Sequence, residues 1–196
     1  MKRLIQFMIN LFIALFWMLL MLSFSGRKTA LLTFIAAVIH EIGHISVLAL
    51  LKGEISIPRP VASGMRIKTR SHLSYAEENA VALGGPMTNL LLFVFLFPLA
   101  KEFAIVNLAT ALSNLLPING YDGHKLLANL LSLVFGSEIS DKTMPHIALF
   151  VTCTVIFLSL FIILRIGGGY WIFFVFFALF IRQILFFQKQ TKNEIS

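Results

Sequence analysis

Long apolar runs separated by short polar stretches organise the chain. The runs cover residues 4–26, 29–51, 79–100, 103–135, 143–164 and 166–181, the last extending to about Phe187 past Arg182. The second contains a single charge, Glu41. The fourth loses its apolar character between Pro117 and Asp122 and resumes at 126–135. Each is near or above the ~20 residues a helix needs to cross a bilayer. Lys2 and Arg3 precede the first run, as in a signal peptide, but its apolar stretch exceeds the usual core of ~7–15 residues, so a retained helix is expected. The 52–78 stretch is the longest polar one and is broken by Pro58, Pro60 and Gly64. Within it, Met65-Arg66-Ile67-Lys68 alternates apolar and basic residues, the period of a short strand. The pattern predicts an all-α polytopic membrane protein of about six transmembrane helices, with a short membrane-associated β segment near 55–70. Residues 1–196 read as a single membrane domain.

Composition agrees with the pattern. Of the 196 residues 58% are hydrophobic and 13% charged, and mean hydropathy is +0.89. A soluble domain carries about 25% charged residues, so a soluble enzyme, a disordered chain and a disulfide-stapled domain are excluded. The single cysteine, Cys153, lies in an apolar run and reads as a small hydrophobe. The net charge of +7 would suit nucleic acid if the bases formed a soluble patch, but here they lie between apolar runs. Six crossings put Lys2, Arg3, Lys52, Arg59, Arg66, Lys68, Arg70, Lys142, Arg182, Lys189 and Lys192 on one side. Arg27, Lys28, Lys101 and Arg165 fall on the other. The positive-inside rule then places both termini in the cytoplasm. The expected setting is the lipid bilayer of a prokaryotic plasma membrane, with no nucleic-acid partner.

Placing the acids narrows the chemistry. Seven of the nine fall in loops, at helix ends or in the tail; Glu41 and Asp122 fall within apolar runs. An ionisable group at membrane depth costs several kcal/mol unless paired or liganded, which makes both functional candidates. Glu41 belongs to His40-Glu41-Ile42-Gly43-His44. On a helix, H-E-x-x-H projects both imidazoles from one face, a turn apart, where they can bind one zinc ion. Glu41 is placed to exchange protons with water activated there. Thr33, Ala36 or Ala37, His40 and His44 form a small and polar stripe suited to packing against other helices. A pair of core histidines with a snorkelling glutamate is the bland alternative, and the ~10 apolar residues ahead of the motif speak against it. A catalytic zinc usually takes three protein ligands, and Asp122 is the other acid at membrane depth. Pro117, Gly120 and Gly123 interrupt the helix around it, as tolerated where backbone lines a cavity. Asp122 also suits the cap of a helix restarting at His124, and the two roles are compatible.

With H-E-x-x-H at His40–His44 and N-x-x-P-x(4)-D-G at Asn114–Gly123, the chain resembles the site-2 protease family of intramembrane zinc metalloproteases. Ser74-Tyr75-Ala76-Glu77-Glu78, leading to Gly84-Gly85-Pro86-Met87-Thr88-Asn89, looks like the family's entry into its third core helix. The resemblance covers about 30–135, the expected catalytic core. It is nearest the sporulation-factor-processing branch, which lacks an added soluble domain. The resemblance implies His40, His44 and Asp122 as ligands of one Zn2+ and Glu41 as catalytic acid/base. It also implies a strand in the 55–70 loop that holds the substrate extended. Common members carry proline at Gly120 and glycine at His124. His124 is therefore open between an extra polar group near the metal, an outer partner and a residue at the cytoplasmic rim. Asn89 and Asn114 are candidates for binding substrate backbone or positioning a loop, against simple helix–helix contact. Ala80, Gly84 and Thr88 form a small-residue stripe, and Asn107, Thr110 or Ala111, and Asn114 a polar one. His72 and His146 read as solvated.

The expected partner is a transmembrane protein or membrane-bound peptide substrate, with room for a regulatory membrane partner. A transporter or metal permease using the same ligands is the competing reading, as is an inactive, protease-like binding protein. The permease would call for more polar sites along a path and paired broken helices.

Overall fold

A computed structural model describes residues 2–51, 59–61, 64–66, 73–166, 173, 176–181 and 183–184; side chains are described from residue 26, and those of the 59–66 strands are not. The elements are helix α1 (Lys2–Leu50), strands β1 (Arg59–Val61) and β2 (Gly64–Arg66), and helices α2 (Tyr75–Leu96), α3 (Lys101–Asn114), α4 (Asp122–Phe135) and α5 (Ser137–Ile166). Helical residues recur at 173, 176–181 and 183–184.

The first two apolar runs are joined through Gly26, whose φ of 78° and ψ of 156° are not helical. That left-handed φ suits glycine and kinks α1 where the runs meet. Ser74 starts α2 with a capping box: its hydroxyl accepts from the Glu77 N–H, and the Glu77 carboxylate accepts from the Ser74 N–H at 2.8 Å. Two otherwise orphaned donors are satisfied, which fixes where the helix enters. Among the described residues three helices are long and apolar enough to cross a membrane: Gly26–Leu50, Tyr75–Leu96 and Ser137–Arg165. Large apolar side chains such as Phe34, Phe95, Phe150, Phe157 and Leu164 stand exposed on them. That surface is suited to lipid, as in an integral membrane protein.

Six spanning helices are thus not what the described residues present. The expected fourth crossing is two helices of 14 residues, α3 and α4, separated at 115–121. Each is about 21 Å long, short of the ~30 Å hydrocarbon core. The side chains of the first run, and much of the last, lie outside the described residues. Within the 55–70 stretch, β1 and β2 pair antiparallel with Arg59 opposite Arg66, Pro60 opposite Met65 and Val61 opposite Gly64. Ile67 and Lys68, expected to extend that strand, lie outside the described residues, as does His72.

Helix α2 is the hub, packed against α1, α3 and α4; α1 also meets α3 and β1, and α4 meets α5. The α1–α2 crossing is close because two glycines face each other. A Cβ on Gly43 would come within 2.5 Å of the Gly84 carbonyl, and one on Gly84 within 2.7 Å of the Gly43 carbonyl. Small residues allow this backbone approach, and Gly84 and Thr88 of the 80–84–88 stripe are the ones that meet α1. Lys28 and Glu102 meet at 2.6 Å, bringing the starts of the spanning part of α1 and of α3 to one end. On the far side, Ile118 in the 115–121 break is packed with Phe176 and Leu179 against Tyr121, Val151 and Val155. The break that leads to Asp122 is therefore an ordered, covered turn.

Candidate functional site

The Gly43–Gly84 crossing sets His40 and His44 of α1 against α2, and the packing of α4 on α2 brings Asp122 to them. His40 Nε2 and His44 Nε2 each lie 3.0 Å from Asp122 Oδ2 and 3.1 Å from one another. All three side chains are buried. Asp122 is the first residue of α4. The N-cap is Tyr121, with no side-chain cap bond; the capping role considered for Asp122 is not what its carboxylate does. Its Oδ2 faces the histidines and its Oδ1 lies 3.4 Å from Lys125 Nζ, one turn on.

The protons of the two rings follow from their outer partners. His44 Nδ1 lies 2.7 Å from the Val81 carbonyl, which only accepts, so Nδ1 carries the hydrogen. The Gly85 N–H also points at this nitrogen, at 3.3 Å, and is the weaker contact. His40 Nδ1 lies 2.7 Å from Asn89 Oδ1. The Asn89 amide cannot be turned round, because its Nδ2 donates to the Ala36 carbonyl at 3.1 Å and to Asn107 Oδ1 at 2.7 Å. Both rings thus carry hydrogen on Nδ1, so each neutral ring turns a bare Nε2 inward. Two such lone pairs and a carboxylate oxygen converge within hydrogen-bonding distance, where they repel one another unless a cation or a proton sits between.

The residues fit a metal ion. Tetrahedral donors about 2.0–2.1 Å from zinc stand about 3.3–3.4 Å apart, close to the 3.0–3.1 Å here. His40, His44 and Asp122 form a group able to hold a metal, their ligand atoms all within 4.8 Å of one another. Room for it is left by Gly85: a Cβ there would lie 2.5 Å from His44 Nε2 and 2.7 Å from His40 Nε2. Gly123 is equally confined, since a Cβ would run into the Leu115 carbonyl that opens the break.

Glu41 follows the first histidine and is partly buried. Its Oε2 is enclosed with no hydrogen-bond partner among the described residues. Such an atom carries a desolvation cost, and it is available to a water or a substrate.

The other candidates separate. Asn89 is fully buried with both donors and its acceptor committed, so it stands behind His40 and does not face a substrate. Asn114 donates to the Thr110 carbonyl one turn back in α3, and no hydrogen bond ties it to the ligand atoms among the described residues. His124 has a buried Nδ1 with no hydrogen-bond partner at that atom among the described residues, and its ring lies within reach of the Pro117 backbone carbonyl. His146 bonds to the Lys142 carbonyl at the surface, and Cys153 is exposed on α5. Sequence reading gave no role to the Val81 carbonyl or Gly85. A backbone acceptor has no residue signature, and Gly85 showed only as part of a Gly-Gly-Pro run. Lys125 likewise has no role in the sequence reading, although its i, i+3 spacing from Asp122 is visible there.

No family model matches the chain. It is 31% identical over 128 residues to a protein of Synechocystis sp. whose name gives it the provisional description of a zinc metalloprotease. The match takes in 58% of this chain and 34% of that protein, so the chain spans about a third of that relative's length. The structure of the Site-2 Protease from Methanocaldococcus jannaschii aligns with a TM-score of 0.62 at 18% identity, over 92% of this chain and 87% of that one. The fold is that of a site-2 protease, and both matches support the resemblance carried by the two motifs.

Proposed function

We propose that the protein is an intramembrane zinc metalloendopeptidase, hydrolysing a peptide bond in or near the transmembrane segment of a membrane protein or peptide precursor. The observation that carries this is the meeting of two histidine Nε2 atoms and Asp122 Oδ2, with Glu41 Oε2 unpartnered among the described residues next to the first histidine, on a helix of membrane-spanning length. In this reading His40, His44 and Asp122 hold one Zn2+, with Val81, Asn89 and Lys125 fixing their outer atoms. Zinc held there supplies Lewis-acid polarisation of water and of the scissile carbonyl. Glu41 Oε2 takes the proton from the attacking water and delivers it to the leaving amine, so one carboxylate serves as base and then acid. Burial of the ligands keeps the site's charges in low dielectric, where each acts more strongly.

A helical substrate hides its peptide bonds, so it must open before cleavage. The β1–β2 pair offers strand edges for backbone pairing with an opened segment, which suits the role implied for the 55–70 region. Around a catalytic core of about 30–135, the reading keeps six crossings, both termini in the cytoplasm of a prokaryote, and a regulatory membrane partner.

The test compares membrane peptides in cells expressing wild type or Glu41→Gln. Glu41→Gln should retain zinc and lose cleavage. Processing that continues in Glu41→Gln would sink the mechanism, and zinc-driven flux in vesicles of purified protein would favour a permease.

A further inference from the structure

Asn107 lies on α3 and touches none of the metal-binding atoms, yet it is fully buried and both ends of its amide are used. Its Nδ2 donates to the Phe103 carbonyl at 2.8 Å and its Oδ1 accepts from Asn89 Nδ2 at 2.7 Å. The Phe103 carbonyl can only accept, so it dictates which way Asn107 points. Asn107 then presents an acceptor to Asn89, which must answer with Nδ2. Asn89 must in turn present Oδ1 to His40, and His40 must carry its hydrogen on Nδ1. The polarity runs one way from a helix backbone to the inner nitrogen of His40.

We infer that Asn107 is a positioning residue that sets the tautomer of His40 through Asn89, holding its Nε2 bare toward the metal. The inference rests on the metal-site reading above and extends it to α3. The Ala36 carbonyl and Asn107 bias the Asn89 amide the same way, and the bond to Asn107 is the shorter, 2.7 Å against 3.1 Å, so loss of Asn107 weakens that bias. An Asn89 freed from Asn107 can turn its Nδ2 toward His40, which then keeps its hydrogen on Nε2, where it blocks the metal. Outer hydrogen-bond partners fix ring orientation and ligand basicity in this way. A merely structural role for Asn107, tying α3 to α2, would affect stability without touching the metal.

The experiment uses the full chain in detergent. Wild type, Asn107→Leu and Asn107→Asp are titrated with zinc against a competing chelator, and thermal unfolding is recorded zinc-free. Asn107→Asp, neutral in this buried position, keeps an acceptor facing Asn89 and a hydroxyl donor for the Phe103 carbonyl, and should bind zinc like wild type. Asn107→Leu should bind about tenfold more weakly, the lower end of the usual loss on removing an outer partner. Nitrogen-15 shifts of the His40 ring in zinc-free protein should show hydrogen on Nδ1 in wild type and a mixture in Asn107→Leu. Unchanged zinc affinity with a lowered unfolding temperature in Asn107→Leu would overturn the inference. So would a wild-type His40 ring with no hydrogen on Nδ1, a measurement that needs no variant to fold. If wild type takes up no zinc, the metal reading falls, while the ring signature still reports the relay.

Discussion

Gly85→Ala probes the space in which the metal is proposed to sit. The added methyl carbon would lie 2.5 Å from His44 Nε2, 2.7 Å from His40 Nε2 and 2.7 Å from His44 Cε1, against an ordinary contact distance of 3.4 Å or more. Relief therefore needs about 0.9 Å of movement at His44 and 0.7 Å at His40, the differences between 3.4 Å and those two nitrogen distances. Neither route is free. Swinging a ring breaks its 2.7 Å bond to Val81 or Asn89, and backing α2 away opens the Gly43–Gly84 crossing. A misplacement of about 1 Å can cost about 10²-fold in rate, or about 2.7 kcal/mol of barrier. Cleavage should fall by about 100-fold or more, and zinc affinity, measured by chelator competition and by metal content after dialysis, should fall with it. Gly84→Ala is the control. Its Cβ meets the Gly43 carbonyl at 2.7 Å and Val47 Cγ2 at 2.9 Å, in the α1–α2 contact itself, with no ligand atom among its nearest neighbours. It should lose about 1–3 kcal/mol of stability through overpacking and lose less zinc than Gly85→Ala. Wild-type zinc affinity in Gly85→Ala would refute the proposed location. Equal zinc loss in both variants would show that helix separation, not the occupied space, is responsible.

Further expectations concern the ligands, the helix start and the bound ion. Asp122→Ala removes the oxygen shared by both histidines and should abolish stoichiometric zinc in elemental analysis, whereas Lys125→Ala, on the exposed side of the carboxylate, should retain it. Ser74→Ala deletes the cap of α2 and should destabilise by about 1 kcal/mol in thermal or denaturant unfolding, with zinc content unchanged. Chelating the metal should lower the unfolding temperature: at free zinc of 1,000 times Kd the lost stabilisation is about 4 kcal/mol. Zinc-independent unfolding would contradict the site.

Some of this was legible along the chain because its physics is local. Apolar run length is set by helix rise and bilayer thickness, so the spanning helices 26–50, 75–96 and 137–165 could be anticipated. H-E-x-x-H placed two imidazoles on one face because four residues are just over one helical turn. Asp122 stood out because an uncompensated acid in an apolar run is costly. The interruption at 117–123 was likewise visible in its proline and glycines. What the sequence did not reveal depends on separation in space. That the fourth run divides into two 14-residue helices follows from the turn at 115–121 and the Ile118–Phe176–Leu179 packing that covers it. That Asn89 lies behind His40, while Asn114 bonds only within α3, depends on how α2 and α3 rotate against α1. The proton positions on the two rings depend on the Val81 carbonyl and on a chain of amides ending at Phe103. Residue types and spacing thus determined which groups could bind a metal. Only the packing of four helices decided which nitrogen each ring presents, because hydrogen-bond polarity is set by neighbours remote in sequence.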